Sequence, residues 1–424
     1  MKGTLILLLA SAFFSSEAAA FQFGVCVHLA MARSDAATVL RLADEGGFNS
    51  IRDDAYWGGV ERARGALEFP ARYTESRKAM QALARRGQSA VVILAYGNQF
   101  YDGGGFPTSA EGIEAYARYA GFVTTTLRDS VRQFEVWNEW NSGFGSKPAT
   151  KSGSAAAYVK VLAPAAAAIR VANPAAEVIG GATAGVDLAW LREFIAVGGL
   201  AHLDAVSVHS YTLFRNRVNP EGAIHSLDRL HALLETAAPD RNIPVYVTEM
   251  GWPTNEGRHG VSQSAAANYL VRFMMLARSR PWIGGVWWYD LIDDGPSNAN
   301  AQHRFGLVQT NLAPKTAFVA ARTVARLVAP GATVKAFRSG KHHYLVTGSD
   351  EAGAWVMAWT LEAEFRDWDQ GAPTQAVAPA ELEPLVTQLQ ADGNPVLFRR
   401  SGGAWRADEA WKRQMNTTSE ERRL

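Results

Sequence analysis

One cysteine, Cys26, stands in a chain of 424 residues. A lone cysteine excludes an internal disulfide and any cysteine-based zinc site, and its place in the apolar run Phe23–Leu29 reads as a small buried core residue. Excess charge of one sign is also lacking: 42 Lys+Arg face 41 Asp+Glu, a net of +1. Without surplus positive charge to neutralise phosphates, the electrostatic case for nucleic acid falls away. Glycine (38) and proline (17) are near average usage, so the composition is neither collagen-like nor disordered. No G-x-G-x-x-G follows the first apolar run, Phe23-Gly24-Val25-Cys26-Val27-His28, and no His-x-His or His-Glu-x-x-His spacing occurs. A dinucleotide loop and a helical zinc motif are therefore absent, and neither cofactor nor metal is expected. What the chain does hold is aromatic: 13 Trp, 12 Tyr and 19 Phe. Flat rings of this kind suit sugar stacking, though composition alone does not assign it.

The one pronounced apolar run, Leu5–Phe14, is too short for a bilayer, which needs about 20 residues. Lys2 precedes it and Ala18-Ala19-Ala20 follows it, the pattern of a secretory signal peptide over residues 1–20. Export to the periplasm or beyond, with no membrane span after cleavage, is the expectation.

From Phe21 onward, short apolar runs alternate with helical patterns. The candidate strands are Phe23–Leu29, Ser50–Ala55, Ser89–Tyr96, Val131–Glu139, Glu177–Ala182, Ala205–Tyr211, Val245–Met250 and Ile283–Leu291. Helical spacing occupies the intervals near 35–45, 73–87, 110–128, 153–172, 187–198, 222–237 and 262–280, and again near 315–328. Eight βα units with short connections predict a (β/α)8 TIM barrel over residues 21–330. A doubly wound open sheet is the competitor, but its phosphate loop is missing. Past Pro330-Gly331 the period turns to alternation, in Thr333–Arg338, His342–Gly348, Ala354–Leu361 and Pro395–Arg399. A small β-rich C-terminal domain over 331–406 and a charged, frayed tail over 407–424 complete the division.

Reacting groups in such barrels collect at the C-terminal ends of strands. Candidate strand four closes Phe134-Glu135-Val136-Trp137-Asn138-Glu139-Trp140-Asn141, and strand seven closes Val245-Tyr246-Val247-Thr248-Glu249-Met250-Gly251-Trp252. Each ends on a glutamate where the apolar pattern gives way, so Glu139 and Glu249 both reach the barrel mouth. Two carboxylates flanking one bond is the requirement for glycoside hydrolysis: one protonated to release the leaving oxygen, the other ionised. Separations of about 5–5.5 Å retain configuration and about 6.5–9.5 Å invert it.

Trp137-Asn138-Glu139 with Thr248-Glu249 resembles the retaining glycoside hydrolases of clan A. Arg52 closing strand two, His209-Ser210-Tyr211 closing strand six and Trp287-Trp288 closing strand eight extend the resemblance over residues 22–328. Leu94-Ala95-Tyr96-Gly97-Asn98 and the barrel-plus-appendage layout resemble family 39 and related bacterial exopolysaccharide-associated glycosidases. The resemblance implies Glu139 as acid/base and Glu249 as nucleophile. It further implies that Asn138 contacts the sugar 2-hydroxyl, Arg52 and Tyr211 hold Glu249, and His209 joins the polar network. Trp287 or Trp288 would floor the reacting subsite, only one of them facing inward because strand neighbours alternate.

Other readings attach to single residues. Glu135 points into the barrel and needs a partner, so a buried structural carboxylate is expected there. His28 ends strand one as either a mouth or a core residue, and His209 divides the same way. Asp293-Asp294-Gly295 reads as a polar turn. Trp57, Tyr96, Tyr101, Phe106, Trp140, Phe214 and Trp252 fall at strand ends or in βα loops, where their faces would line an elongated cleft for an endo-acting enzyme on β-linked poly- or oligosaccharide. An exo-acting, xylosidase-like enzyme or a transglycosylase is the alternative, and a non-catalytic polysaccharide-binding barrel the alternative of another class.

Overall fold

The computed structural model describes residues 21–146, 153–212, 219–329, 331–361, 376–390 and 392–416. The expected leader, Met1–Ala20, Phe214 and the last residues of the tail lie outside them. Eight parallel strands close a barrel in chain order: β1 (Gln22–Cys26), β2 (Ser50–Tyr56), β3 (Ser89–Ala95), β4 (Gln133–Val136), β5 (Glu177–Ala184), β6 (Ala205–His209), β7 (Val245–Met250) and β8 (Ile283–Trp288), with β8 returning to β1. Each strand is followed by a helix of the outer ring: α1 (Ala36–Gly46), α2 (Thr74–Arg85), α3 (Ala110–Leu127), α4 (Ala155–Ala172), α5 (Leu188–Ala196), α6 (Pro220–Ala237), α7 (Gln263–Arg278) and α8 (Thr316–Leu327).

Local chemistry sets these helix starts. Side chains of Asp35, Ser109, Ser154, Asn219 and Ser262 each accept from a backbone N–H of the first turn, satisfying donors the helix cannot. Pro220 occupies the first turn of α6, where its missing N–H costs nothing. α4 is long and apolar enough to cross a membrane, at mean hydropathy 1.4, yet Tyr158, Val161, Leu162, Ala165 and Ile169 are buried in the barrel wall. The strands are hydrophobic on both faces because one packs on this ring and the other fills the barrel, where Cys26, Val91, Ile179, Ala205, Tyr246 and Trp287 form an inner layer.

The C-terminal sheet is built from β9 (Lys335–Ser339), β10 (His343–Asp350), β11 (Gly353–Thr360), β12 (Ala376–Val377), β13 (Val396–Ser401) and β14 (Ala404–Ala407). Its order is β12-β9-β10-β11-β13-β14, antiparallel except for the β9–β12 edge. A buried ion pair joins it to the barrel. Glu221 on α6 accepts from Arg272 on α7 at 2.9 and 2.6 Å, and from the Trp359 indole of β11 at 2.8 Å. Within the tail expected to fray, residues 409–416 form a helix, α9 (Glu409–Asn416). Trp411, 3 % exposed, anchors it, its indole donating to Pro395 O at 2.9 Å. Burying one large ring outweighs the charge around it.

Candidate active site

Strand ends place the two glutamates by different local devices. β4 stops at Val136, three residues short of the strand expected through Glu139. Trp137 and Glu139 then take left-handed φ of 67° and 53°. Such conformations cost about 1–3 kcal/mol each outside glycine and persist where surroundings over-determine them. Here the Glu139 N–H donates to Ala182 O at 2.6 Å and Trp137 N–H to Leu94 O at 3.2 Å, tying the turn to both neighbouring strands. On β7 the device is a bulge: Val208 pairs with Val247 but His209 with Glu249, so one extra residue on β7 turns Glu249 toward the mouth.

One guanidinium organises the centre. Arg52, 2 % exposed, donates through Nε to Glu135 at 2.7 Å, through Nη1 to Glu249 at 2.8 Å and through Nη2 to Asn138 Oδ1 at 2.8 Å. Glu135 is the buried structural carboxylate its position implied, and its other oxygen accepts from Thr248 Oγ1 at 2.8 Å. Tyr211 donates to the second oxygen of Glu249 at 3.0 Å. Burial alone would raise the Glu249 carboxyl. The His209 and Arg52 charges and the hydrogen bonds from Arg52 and Tyr211 outweigh it and hold the group below its ordinary value.

His209 lies under both glutamates, with Nδ1 2.8 Å from Glu139 Oε1 and 3.6 Å from Glu249 Oε2. Its Nε2 is 3.4 Å from Arg52 Nη2. A guanidinium only donates, so in neutral His209 Nε2 accepts and Nδ1 carries the hydrogen that Glu139 accepts. Burial opposes charge on the ring, yet Glu249 and Glu139 carry its pKa above the usual imidazole value. Carboxylate oxygens of Glu139 and Glu249 and a nitrogen of His209 lie within 4.8 Å of one another. Asn138, its Oδ1 engaged by Arg52, also lines the cleft.

The cleft over this centre has a volume of about 520 Å³, and its walls include Tyr56, Tyr96, Phe144, Tyr211, Tyr289 and Phe305. Several expected wall residues are elsewhere. Trp287 faces inward but low in the barrel, donating to Ser50 Oγ at 3.0 Å with its ring against Tyr246. Trp288 faces the helix ring and packs on Trp252 at 5.8 Å. Neither floors the site; the next residue, Tyr289, forms that wall. Trp252 is buried against Tyr269, and Trp140 is buried between Phe106 and Tyr158, its indole held by Ser154 O. Trp57 and Tyr101 are likewise internal, sharing the buried carboxylate of Glu61 at 2.6 Å each. These rings do not line the cleft, whereas Tyr96 does.

His28 does line the cleft. Its Nε2 lies 3.3 Å from Asp290 and 3.6 Å from Asp294, which also pairs with Arg33. Burial lowers the His28 pKa, but Asp290, with Asp294 and Asp54, overrides this and lifts it to about 9. Among the described residues, two clusters have three donor atoms close enough for a cation: His28/Asp290/Asp294 and Glu139/His209/Glu249. Asp293 turns inward to Lys315 at 2.6 Å and Arg304 at 3.0 Å, tying down the loop after β8. Asp54, Tyr56, Phe144, Tyr289 and Phe305 escaped the sequence reading. Two of them were within reach, because Asp54 and Tyr56 follow Arg52 at two-residue spacing on one strand face.

Residues 119–314 match the family described as glycosyl hydrolase catalytic core. Among solved structures, the chain is similar to a family 39 glycoside hydrolase from Bacteroides cellulosilyticus, at 25% identity and TM-score 0.68, covering 81% of this chain and 71% of that one. It is also similar in fold to a family 39 β-xylosidase from Caulobacter crescentus (21% identity, TM-score 0.58, 91% and 93% covered). A GH5_18 protein from Bifidobacterium longum subsp. infantis shares the fold as well (16% identity, TM-score 0.61, 89% and 98% covered). No curated protein sequence matches. The chain thus resembles family 39, and the match of residues 119–314 to a glycosyl hydrolase catalytic core supports a glycosidase.

Proposed function

We propose that this protein is an exported retaining glycoside hydrolase that cleaves β-linked poly- or oligosaccharide from within the chain, on a polymer such as a bacterial exopolysaccharide. The observation that carries the reading is the approach of a Glu139 oxygen to a Glu249 oxygen within 4.8 Å. An inverting pair stands about 6.5–9.5 Å apart to admit water between its carboxyl groups, and this approach favours the shorter arrangement. Unequal surroundings divide the roles. Glu249, held ionised by Arg52 and Tyr211, attacks the anomeric carbon. Glu139, the more exposed of the two, protonates the leaving oxygen and then takes a proton from the water that releases the glycosyl-enzyme. His209 fixes one Glu139 oxygen, leaving the other for the proton in transit. Asn138 stands beside the nucleophile, where a donor to the 2-hydroxyl strengthens in the transition state.

Endo action draws support from Phe144, 53 % exposed at the cleft wall beside Tyr96, a free aromatic face beyond the reacting pair. Export draws on the composition of Met1–Ala20. The exo reading is favoured by the inward turn of Trp57, Trp140 and Trp252, which leaves fewer platforms for a long chain. A panel of β-glucans, mannans, xylans and bacterial exopolysaccharides tests both. Oligomeric products support endo action and monosaccharides exo action. Glu249→Gln and Glu139→Gln should each abolish turnover while oligosaccharide binding persists. An initial product of inverted configuration by NMR, or undiminished activity in either variant, defeats the mechanism.

A further inference from the structure

On the wall formed by β8, β1 and β2, hydrogen-bond acceptors outnumber donors. The inner face of β2 carries Arg52, then Asp54, then Tyr56. Asp54 lines the cleft yet is only 7 % exposed; one oxygen accepts from the Tyr56 hydroxyl at 3.0 Å, and Oδ1 accepts from nothing. Past His28, Asp290 is 1 % exposed, and neither of its oxygens accepts a well-aligned hydrogen bond. A buried carboxylate oxygen without a donor costs several times what an exposed one does, and of these two carboxylates Asp54 lines the cleft, where a bound donor can approach it.

The charges point the same way. Among the described residues lining the cleft, the basic side chains are Arg52 and His28. Arg52 spends Nε, Nη1 and Nη2 on Glu135, Glu249 and Asn138, and His28 sits against Asp290. Arg33, behind this wall, is taken by Asp294. With both histidines protonated, four cations, Arg52, Arg33, His28 and His209, face six carboxylates, Glu135, Glu139, Glu249, Asp54, Asp290 and Asp294. Burial, with too little positive charge to offset it, raises the pKa of Asp54 and takes that of Asp290 to about 6. A uronate, sulfate or phosphate ester entering here meets no uncommitted cation on this wall. An ammonium group approaching Asp54 meets a carboxylate short of donors and supplies three of them together with the missing charge.

We propose that the polymer cleaved carries free amines: a β-linked hexosamine unit without N-acetylation, whose ammonium group rests against Asp54 at the β2 side of the cleft. The inference rests on the glycosidase reading of the same cleft and narrows it to a substrate class.

Binding and turnover separate the two claims. The full-length chain carrying Glu139→Gln is titrated calorimetrically with β-linked glucosamine oligomers and with the same oligomers after N-acetylation, at low and high sodium chloride. The free-amine oligomers should bind at least about tenfold more tightly, with the advantage shrinking as salt screens the charge. Adding Asp54→Asn should bring the ratio of the two affinities close to one. Equal affinity before and after N-acetylation overturns the amine proposal, and that comparison needs no second variant to fold. An affinity ratio unchanged by Asp54→Asn overturns the assignment of the site. Wild-type hydrolysis of neutral β-glycans with no preference for the amine form sinks the inference and leaves the glycosidase standing. Binding without hydrolysis of any member of the panel sinks the glycosidase instead, and the amine preference is then decided by affinity alone.

Discussion

Arg52→Lys keeps the positive charge and removes the fork, so it isolates what the three directed hydrogen bonds do. The guanidinium reaches Glu135, Glu249 and Asn138 at 2.7, 2.8 and 2.8 Å from three different nitrogens. An ammonium is a single point donor on a shorter plan and cannot serve all three. If it remains with the fully buried Glu135, Glu249 loses a charge-assisted hydrogen bond of about 1.5–3 kcal/mol. At about 1.36 kcal/mol per pH unit, the acid limb of kcat/KM should then move upward by about one to two pH units. The sign follows from the chemistry. The nucleophile must be ionised, Arg52 holds its carboxyl low, and weakening that hold lets protonation silence it at higher pH. Near neutrality kcat/KM should fall about 10–100-fold, the loss in transition-state stabilisation expected from a bond of that size. Stability carries the same signature. A depressed Glu249 pKa contributes stability above the unfolded carboxylate value of about 4.3 and loses it as pH falls through the folded one. The gap between wild type and variant in urea should therefore narrow on acidification. A folded Arg52→Lys enzyme whose acid limb stays in place, or moves downward, refutes the reasoning.

Tyr211→Phe deletes one donor to Glu249 at 3.0 Å and should lower kcat/KM about tenfold or more, with a smaller upward shift of the same limb in the pH–rate profile. Glu221→Ala removes the buried carboxylate that takes two hydrogen bonds from Arg272 and strips the Trp359 indole of this acceptor. Urea unfolding should show a loss of about 3–5 kcal/mol, with earlier protease cleavage of the C-terminal sheet. His28, lifted to about 9 from an unfolded value of about 6.5, contributes stability below the latter and loses it as pH rises through the former. The wild-type urea midpoint should therefore decline between neutrality and pH 9.5, and a folded His28→Gln chain should lack that decline.

The barrel was legible because buried parallel strands are nearly continuous apolar runs, each followed by a helix, six of the eight with a polar side-chain cap. Periodicity does not carry the left-handed turn at Trp137 and Glu139, so the apolar pattern runs three residues past the end of the fourth strand while still marking its glutamate. Direction was harder than position. Trp287 and Trp288 sit at the strand end as expected, but which face each occupies depends on register with β7, where bulges shift the pairing. The inward one then lies a layer too deep to touch a ligand. Trp57, Trp140 and Trp252 were placed at the rim by their loop positions, whereas their large apolar area favours burial wherever a loop can cover it. Asp54 was the readable omission: on the strand face of Arg52, parity alone put a second charged group at the mouth.

Glu135 explains why one arginine can serve a nucleophile and a sugar-binding amide together. Buried ion pairs seldom return more free energy than their desolvation costs, so a third carboxylate in this layer is not there to stabilise the fold. Its effect is positional. One oxygen is held by Thr248 and the other receives Nε of Arg52, which fixes the plane and rotation of the guanidinium. With that edge committed, Nη1 and Nη2 point only toward Glu249 and Asn138. Glu135→Gln should accordingly leave Arg52 charged but less well aimed. Orientation, more than charge, is what the site would lose.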